Sequence, residues 1–215
     1  MKLYTFWRST AAYRVRIAAN LKNVPLEYVS VNLIKEGGQQ NQPAYRAVNP
    51  SGGVPSLETD AGEVLTESLA ILEYLDERFP QPPLLPGDAM ARGHAREIAL
   101  HVVADLHPFN TPRIMGRLTA QFGADEAAHN AWIHHWMGAG FGAVEALLGR
   151  LNSNGRFCLG DSVTLADVCL VPQVFNAHRF GVDLTPFPLI ASIERHCLTL
   201  PAFAAAHPGA QPDAP

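Results

Sequence analysis

Apolar and polar residues along the first part of the chain follow two different periods. Residues 2–7 alternate with period two, which is typical of a strand with one buried face. Residues 12–22 instead place Val15 and Ala18 at helical spacing, and residues 27–33 return to period two. The pattern therefore predicts a strand, a tight turn, a helix and a second strand, which together form a βαβ unit.

Turn-forming residues mark the next elements. Residues 49–55 (NPSGGVP) are dense in Gly, Pro, Asn and Ser, and short strand-like pieces follow around Leu57 and Val64. This arrangement predicts a β-hairpin. A helix is then expected to begin at Thr66 or Ser68.

A proline-rich segment divides the chain. Four prolines lie within residues 79–87, a composition that cannot continue a helix and that forms a stiff connection. We therefore expect a first domain at residues 1–80, a linker at 81–87 and a second domain at 88–215. Helical periodicity in the second domain predicts helices over residues 89–120, 127–151, 165–180 and 190–198. The predicted fold class is α/β followed by all-α.

Composition and charge exclude several classes of protein. A chain of 215 residues can bury a sizeable core, and its 47% apolar and 17% charged residues are close to the globular average. The net charge of −4 and the lack of a Lys/Arg-rich run disfavour a nucleic-acid binder. Residues 127–144 lack Asp, Glu, Lys and Arg but contain three His and several Gly, so we expect no membrane span. Residues 1–8 are too short for a signal-peptide core, and we expect a cytoplasmic protein.

Cysteines and basic residues narrow the chemistry further. Cys158, Cys169 and Cys197 are odd in number and form no C-x-x-C pair, which favours reduced structural thiols over disulfides or a zinc site. The pair His134-His135 has no H-E-x-x-H context, and we expect no metal site. The basic residues are 13 Arg and only 3 Lys, and the guanidinium fork suits carboxylate and phosphate groups. An anionic small ligand is therefore a candidate.

Four segments carry a resemblance to a known family. They are residues 9–18 (STAAYRVRIA), 32–40 (NLIKEGGQQ), 170–177 (LVPQVFNA) and 182–188 (VDLTPFP). The order of elements given above is that of the glutathione transferase family. Together with this order, the four segments resemble the zeta class of that family, which includes maleylacetoacetate and maleylpyruvate isomerases. The resemblance implies a thioredoxin-like N-terminal domain, an all-helical C-terminal domain, glutathione as the cofactor and a homodimer.

The resemblance places the glutathione thiolate at the turn before the first helix. Ser9 is implied to stabilise the sulfur, together with Thr10 and the backbone N–H groups of the helix N-terminus. From the residues alone, the alternative is that Ser9 or Thr10 merely caps that helix. Ala11 stands where the family motif has a cysteine, so no protein thiol of this turn is expected to take part in the chemistry.

The peptide part of glutathione is implied to contact the rest of the first domain. Glu67 and Ser68 would hold the γ-glutamyl end at a helix N-terminus, and the alternative for this pair is simple capping. Val54 precedes a proline that is cis in the family, and its backbone would face the cysteinyl part; from sequence alone this is an ordinary turn. Gln40 is implied to reach the glycyl end. Gly53 replaces a longer side chain present in many relatives.

Residues 107–113 (HPFNTPR) resemble the His-Pro-x-Asn-Asn-x-Arg pattern of the family, with a departure at Thr111 and the proline after it. The resemblance implies that His107, Thr111 and Arg113 line the cleft that holds glutathione and substrate. Without the motif, Arg113 would be interpreted as an exposed arginine on a solvated helix.

Three arginines are expected near a substrate. The motif implies Arg113, and we add Arg8, which precedes Ser9, and Arg179, which follows the segment at residues 170–177. Three guanidinium groups suit a small dicarboxylate, because each can bind a carboxylate bidentately and stabilise charge that moves onto oxygen. We therefore expect a glutathione-dependent cis–trans isomerase of a maleyl diacid. The expected substrate is maleylacetoacetate, which arises in tyrosine breakdown. The alternative substrate is maleylpyruvate, which arises in gentisate breakdown. A general glutathione transferase and a non-catalytic binding module are two further functions compatible with the same fold.

Overall fold

The computed structural model describes the backbone of residues 1–215 and their side chains, with the exception of the Glu36 side chain. The chain divides into two compact units. The first unit comprises Met1–Pro83 together with Leu198–Pro215, and the second comprises Leu84–Cys197.

A four-stranded mixed sheet forms the centre of the first unit. Its strands are β1 (Lys2–Thr5), β2 (Glu27–Ser30), β3 (Ser56–Glu58) and β4 (Val64–Thr66). Their order in the sheet is β2-β1-β3-β4, with β1 parallel to β2 and the other pairs antiparallel. Leu3 lies opposite both Tyr28 and Leu57, and Leu3 and Leu57 are fully buried. The predicted βαβ unit and hairpin are therefore present, joined through β1 and β3.

Helices make up most of the remaining structure. They are α1 (Thr10–Leu21), α2 (Pro43–Val48), α3 (Ser68–Arg78), α4 (Ala89–Leu100), α5 (Pro112–Phe122), α6 (Glu126–Arg150), α7 (Leu165–Arg179), α8 (Pro188–Cys197) and α9 (Pro201–Ala206). Among the residues that the structure describes, no helix combines the length and apolar character that crossing a membrane requires.

The C-terminal segment packs in the first unit, whereas the sequence placed all of residues 88–215 in the second domain. Phe203 of α9 is fully buried, and side chains of α1 bind backbone carbonyls of α9. Arg16 Nε donates to the Ala206 carbonyl at 3.1 Å, and Asn20 Nδ2 donates to the Ala202 carbonyl at 3.0 Å. These contacts join residues far apart in sequence and hold the end of the chain against α1. The predicted domain boundary is therefore wrong for the C-terminal segment, because no local pattern reveals such contacts.

The second unit is built from α4 to α8. Helix α7 is buried along most of its length, and Asp167 in its first turn is fully buried. One carboxylate oxygen of Asp167 accepts from the Cys158 N–H at 2.7 Å, and the other accepts from the Thr164 N–H at 2.8 Å. The buried carboxylate therefore fixes the loop before α7 to the start of that helix.

The prediction of one continuous helix over residues 89–120 is wrong, because the structure divides this segment into two helices. Helix α4 passes into a π-helical turn at His101–Leu106 and a 3-10 turn at His107–Asn110, and α5 then begins at Pro112. Pro108 and Pro112 both lack a backbone N–H, so a continuous helix would lose two hydrogen bonds here. Pro112 is tolerated because it occupies the first position of α5, where the N–H would have no helical partner.

Candidate active site

Ser9 is the N-cap of α1. Its Oγ accepts a hydrogen bond from the Ala12 N–H at 3.2 Å, which is the capping contact that the sequence left as an alternative. The Ser9 hydroxyl proton has no acceptor among the described residues, and the side chain is partly exposed. Capping uses one lone pair of the oxygen, so the same hydroxyl can still donate to an anion at the helix N-terminus. The N-terminal end of the helix dipole favours that anion.

The residues beside Ser9 differ in exposure. Thr10, the first residue of α1, is buried. Arg8 is partly exposed, and its guanidinium carbon lies 5.6 Å from the centroid of the Trp7 ring. The Trp7 N–H donates to Asp213 Oδ2 at 3.0 Å, so the C-terminal segment fixes the backbone just before Arg8. Arg8 can therefore present a cation near Ser9 from a fixed backbone position.

The peptide bond between Val54 and Pro55 is cis, as the family resemblance implied. The loop in front of it is held by two side chains that donate to the Gly53 carbonyl, namely the Tyr45 hydroxyl and Asn49 Nδ2 at 2.8 Å. A Cβ added at Gly53 would lie no closer than 3.6 Å to its nearest neighbour. The fold therefore has room for a side chain at this position, and none of these contacts requires glycine.

Glu67 and Ser68 open α3 in an unusual backbone conformation. Glu67 has a positive φ of 66°, which a non-glycine residue rarely adopts, and its side chain is exposed. Such conformations often occur at binding sites. Ser68 is buried, and its Oγ accepts a hydrogen bond from Arg14 Nη1 at 3.0 Å. The Ser68 hydroxyl proton has no acceptor among the described residues, so it is available to a ligand at the start of α3.

Arg14 is a residue that the sequence-based assignment missed. It is 1% exposed, lies on α1 and places a cation against the N-terminus of α3 through Ser68. The only signal in the sequence is that Arg14 belongs to the segment at residues 9–18, where the resemblance implied no role for it. A buried arginine beside a helix N-terminus adds to the positive potential there.

Gln40 lies in a short 3-10 turn, Gln39–Asn41. Its Nε2 is 3.5 Å from the Leu33 carbonyl, which is a weak contact, and its buried Oε1 has no hydrogen-bond partner among the described residues. Buried polar atoms are usually satisfied, so this amide is suited to a polar ligand.

The other residues predicted from the resemblance lie in the second unit. His107 lies in the 3-10 turn, and the Thr111 hydroxyl donates to the Pro108 carbonyl at 3.0 Å. Arg113 is the second residue of α5 and is exposed, with no hydrogen bond or ion pair to any residue that the structure describes. Its guanidinium is therefore available to a carboxylate.

Arg179 ends α7 and is held more firmly than Arg113. Its Nη1 donates to Asn176 Oδ1 at 2.9 Å, and its guanidinium carbon lies 4.3 Å from the centroid of the Phe180 ring. The Phe180 carbonyl in turn pairs with His134 Nε2 at 2.7 Å. The sequence-based assignment missed Asn176, although it lies in one of the segments that carry the resemblance.

The cysteines cannot supply a reactive thiolate. Cys158, Cys169 and Cys197 are fully buried, and none of them forms a disulfide in the part of the chain that the structure describes. Burial raises the pKa of the Cys158 and Cys197 thiols well above their usual range. A thiolate at the Ser9 turn must therefore come from a bound molecule.

Known proteins resemble this chain along its whole length. Residues 3–83 match the family model of the glutathione S-transferase N-terminal domain. The chain is 52% identical over 213 residues to a maleylpyruvate isomerase of a Ralstonia species, covering 99% of each chain. It is 48% identical over 215 residues to the maleylacetoacetate isomerase of Pseudomonas aeruginosa, covering 100% of this chain and 99% of that protein.

Solved structures agree with these sequence relatives. A holo maleylpyruvate isomerase, described as a bacterial glutathione S-transferase of the zeta class, superposes with a TM-score of 0.96 at 51% identity, covering 100% of both chains. A maleylacetoacetate isomerase from Methylobacterium extorquens AM1, with bound malonate and glutathione, gives a TM-score of 0.95 at 40% identity, again covering 100% of both chains.

Proposed function

Since the chain belongs to the zeta class of the glutathione transferases, we propose that it is a glutathione-dependent cis–trans isomerase of a maleyl diacid. The first candidate substrate is maleylacetoacetate, which arises in the breakdown of tyrosine and phenylalanine. The observation that carries the proposal is the 48% to 52% identity, over nearly the full length, to proteins named as isomerases of maleyl diacids.

The first unit fits glutathione, the cofactor of this family. Ser9 has an uncommitted hydroxyl proton at a helix N-terminus, Ser68 has another at the start of α3, and Gln40 has a buried oxygen without a described partner. Bound glutathione supplies a thiolate that adds reversibly to the conjugated double bond and so allows rotation about it. Val54, beside the cis proline, offers its backbone groups to the cysteinyl part of the cofactor.

Ser9 stabilises the thiolate. A free thiol with a pKa of about 8.5 is only slightly ionised at neutral pH, so the site must favour the anion. The Ser9 hydroxyl donates to the sulfur, while the N-terminus of α1 adds positive potential, to which the backbone N–H of Thr10 contributes.

The two ends of the peptide are anchored by polar residues. Ser68 and the backbone at the start of α3 bind the γ-glutamyl carboxylate, and the exposed Glu67 carboxylate pairs with the γ-glutamyl ammonium. Gln40 binds the glycyl end. The family resemblance further assigns His107, Thr111 and Arg113 to cofactor binding.

Arg8, Arg113 and Arg179 bind the carboxylates of the diacid. A guanidinium holds a carboxylate through two parallel hydrogen bonds, which orients the substrate as well as attracting it. The same groups stabilise negative charge that develops on substrate oxygen during the reaction. A neutral electrophile would gain nothing from them, so the arginines favour diacid isomerisation over general conjugation.

The second candidate substrate is maleylpyruvate, because a maleylpyruvate isomerase shares 52% identity with this chain. Purified protein should be assayed with each diacid, with and without glutathione, and the product identified by NMR. We expect turnover that requires glutathione without consuming it, and the larger kcat/KM identifies the physiological substrate class. Conjugation of an aryl halide without diacid turnover would favour a general transferase. Binding of glutathione without any turnover would favour a binding module.

We further propose that the protein is a cytoplasmic homodimer, in accordance with the family. Three buried cysteines that form no disulfide among the described residues fit a reducing compartment, where glutathione is also abundant. Light scattering at micromolar concentration should give twice the mass of the 23.3 kDa chain, and cell fractionation should recover the protein in the soluble cytoplasmic fraction. A monomer or a membrane-bound fraction would count against this part of the proposal.

A further inference from the structure

Buried amides connect Arg179 to the turn that precedes α5. Asn176 accepts from Arg179 through Oδ1, and its Nδ2 donates to Asn110 Oδ1 at 2.8 Å. Asn110 Nδ2 then contacts the Leu106 carbonyl at 3.3 Å. Asn176 and Asn110 are 3% and 6% exposed, so bulk water does not compete for these contacts.

The guanidinium fixes the direction of this chain of hydrogen bonds. Arginine can only donate, so the atom of Asn176 that faces it must be the carbonyl oxygen. The NH2 group of Asn176 must then donate, which requires the carbonyl oxygen of Asn110 to face it, and the NH2 group of Asn110 is left for the Leu106 carbonyl. Each amide therefore has one orientation that satisfies both of its neighbours.

We propose that Asn176 is a positioning residue for the diacid, an inference that rests on the proposed isomerase function. Through one amide it holds the guanidinium of Arg179 and the turn that leads into Arg113. The relative placement of these two carboxylate-binding groups is thus set by a side chain that does not itself touch the substrate.

A neutral amide suits this task better than a carboxylate. Asn176 orients the guanidinium through its carbonyl oxygen without adding a negative charge that would compete with a substrate carboxylate. Aspartate at the same position would also accept from Arg179, but its charge would offset that of the guanidinium and compete with the substrate.

The turn that precedes α5 is also held by helix α6. Loss of the Asn176 amide is therefore expected to disturb the positions of Arg179 and Arg113 unequally. Trp132 Nε1 of α6 donates to the Phe109 carbonyl at 2.9 Å, and the Phe109 ring stacks on Trp136 with centroids 4.3 Å apart. The turn therefore stays anchored to α6 when the Asn176 amide is lost. Arg179 is expected to lose more order than Arg113.

The test compares Asn176→Ala with the unchanged protein, each loaded with glutathione. Malonate binding, measured by calorimetry, reports on the carboxylate site without turnover, and kcat/KM for the diacid reports on the reaction. We expect the affinity for malonate and the kcat/KM for the diacid each to fall about tenfold, which is the effect of losing one hydrogen bond to a charged group. Conjugation of an uncharged aryl halide should change less than twofold, because it needs no carboxylate contact. In an Arg179→Ala background, Asn176→Ala should cause almost no further loss.

A matched control is Gln173→Met. Gln173 lies one turn earlier on α7, is fully buried, and its side-chain amide has no hydrogen-bond partner among the described residues. Its replacement should leave malonate binding unchanged. If Asn176→Ala does not fold, the isosteric Asn176→Asp keeps the acceptor for Arg179, and it should still weaken malonate binding.

The outcomes separate this inference from the proposed function. If the unchanged protein isomerises no diacid, the proposed function fails, whatever the variants do. If it is active, additive losses in the Arg179→Ala background overturn the positioning role. Equal losses on diacid and aryl halide, or unchanged malonate binding in both Asn176 variants, also overturn it.

Discussion

Replacing Ser9 with alanine should cause two losses that can be measured separately. The first is the N-cap of α1, since Ser9 Oγ accepts from the Ala12 N–H at 3.2 Å. Loss of such a cap costs about 1 kcal/mol of stability, or about 2–4 °C in Tm for a chain of this size. The second is the hydrogen bond to the thiolate, worth about 1.5–3 kcal/mol because one partner is charged. The second loss corresponds to a fall in kcat of about ten- to a hundredfold.

The pH dependence identifies the second loss. Without the hydroxyl, the thiolate loses a donor, so the pKa of the bound glutathione thiol should rise towards the free value of about 8.5. The reactive form is the thiolate, so activity at neutral pH should fall and be partly recovered at higher pH. Ultraviolet absorbance of the thiolate in the binary complex, titrated with pH, measures this pKa directly. The KM for glutathione should change less than kcat, because the peptide anchors remain.

Two controls separate capping from catalysis. Ser9→Gly retains most of the cap stability, since glycine at this position costs only a few tenths of a kcal/mol, but it also removes the hydroxyl. Asp125→Ala removes an equivalent cap from α6, where Asp125 Oδ1 accepts from the Ala128 N–H at 2.9 Å. Ser9→Gly should lose activity with little loss of Tm, and Asp125→Ala should do the reverse. If Ser9→Gly and Ser9→Ala keep both their turnover and the thiol pKa, Ser9 is only a cap.

Three further predictions follow from the site and its supports. Arg113→Ala should lower kcat/KM for a diacid about ten- to a hundredfold and leave aryl-halide conjugation within a few-fold when both are measured at saturating glutathione, because saturation compensates for the lost cofactor contact and only the diacid loses a carboxylate contact; parallel losses in steady-state kinetics would contradict this. Arg14→Met should raise the KM for glutathione more than it lowers kcat, because Ser68 loses its donor and the start of α3 loses a nearby cation; an unchanged KM in assays at varied glutathione would remove Arg14 from the site. Asp167→Ala should lower the free energy of unfolding by about 2–4 kcal/mol in urea denaturation, since the buried Cys158 N–H loses its acceptor. A loss below about 1 kcal/mol would mean that water replaces the carboxylate.

Local patterns in the sequence predicted the elements whose form depends on nearby residues. The period-two segments became β1 and β2, and the helical spacing after residue 12 became α1. The turn-rich segment at residues 49–55 forms the loop that leads into the β3–β4 hairpin, with a cis peptide bond before Pro55. Short helices such as α2 (Pro43–Val48) were missed, because six residues are too few to show a helical period.

The tertiary structure decided what depends on residues far apart in the chain. Nothing near residues 198–215 indicates that they pack with the first unit, because the partners of that segment are Arg16 and Asn20 on α1. The same holds for Arg14 and Asn176, whose roles come from contacts 54 and 66 residues away in sequence. The family motifs marked the residues proposed to touch ligands, since such residues cluster in short segments. The side chains that orient them were visible only after folding, because a hydrogen-bond partner on another helix leaves no local period in the sequence.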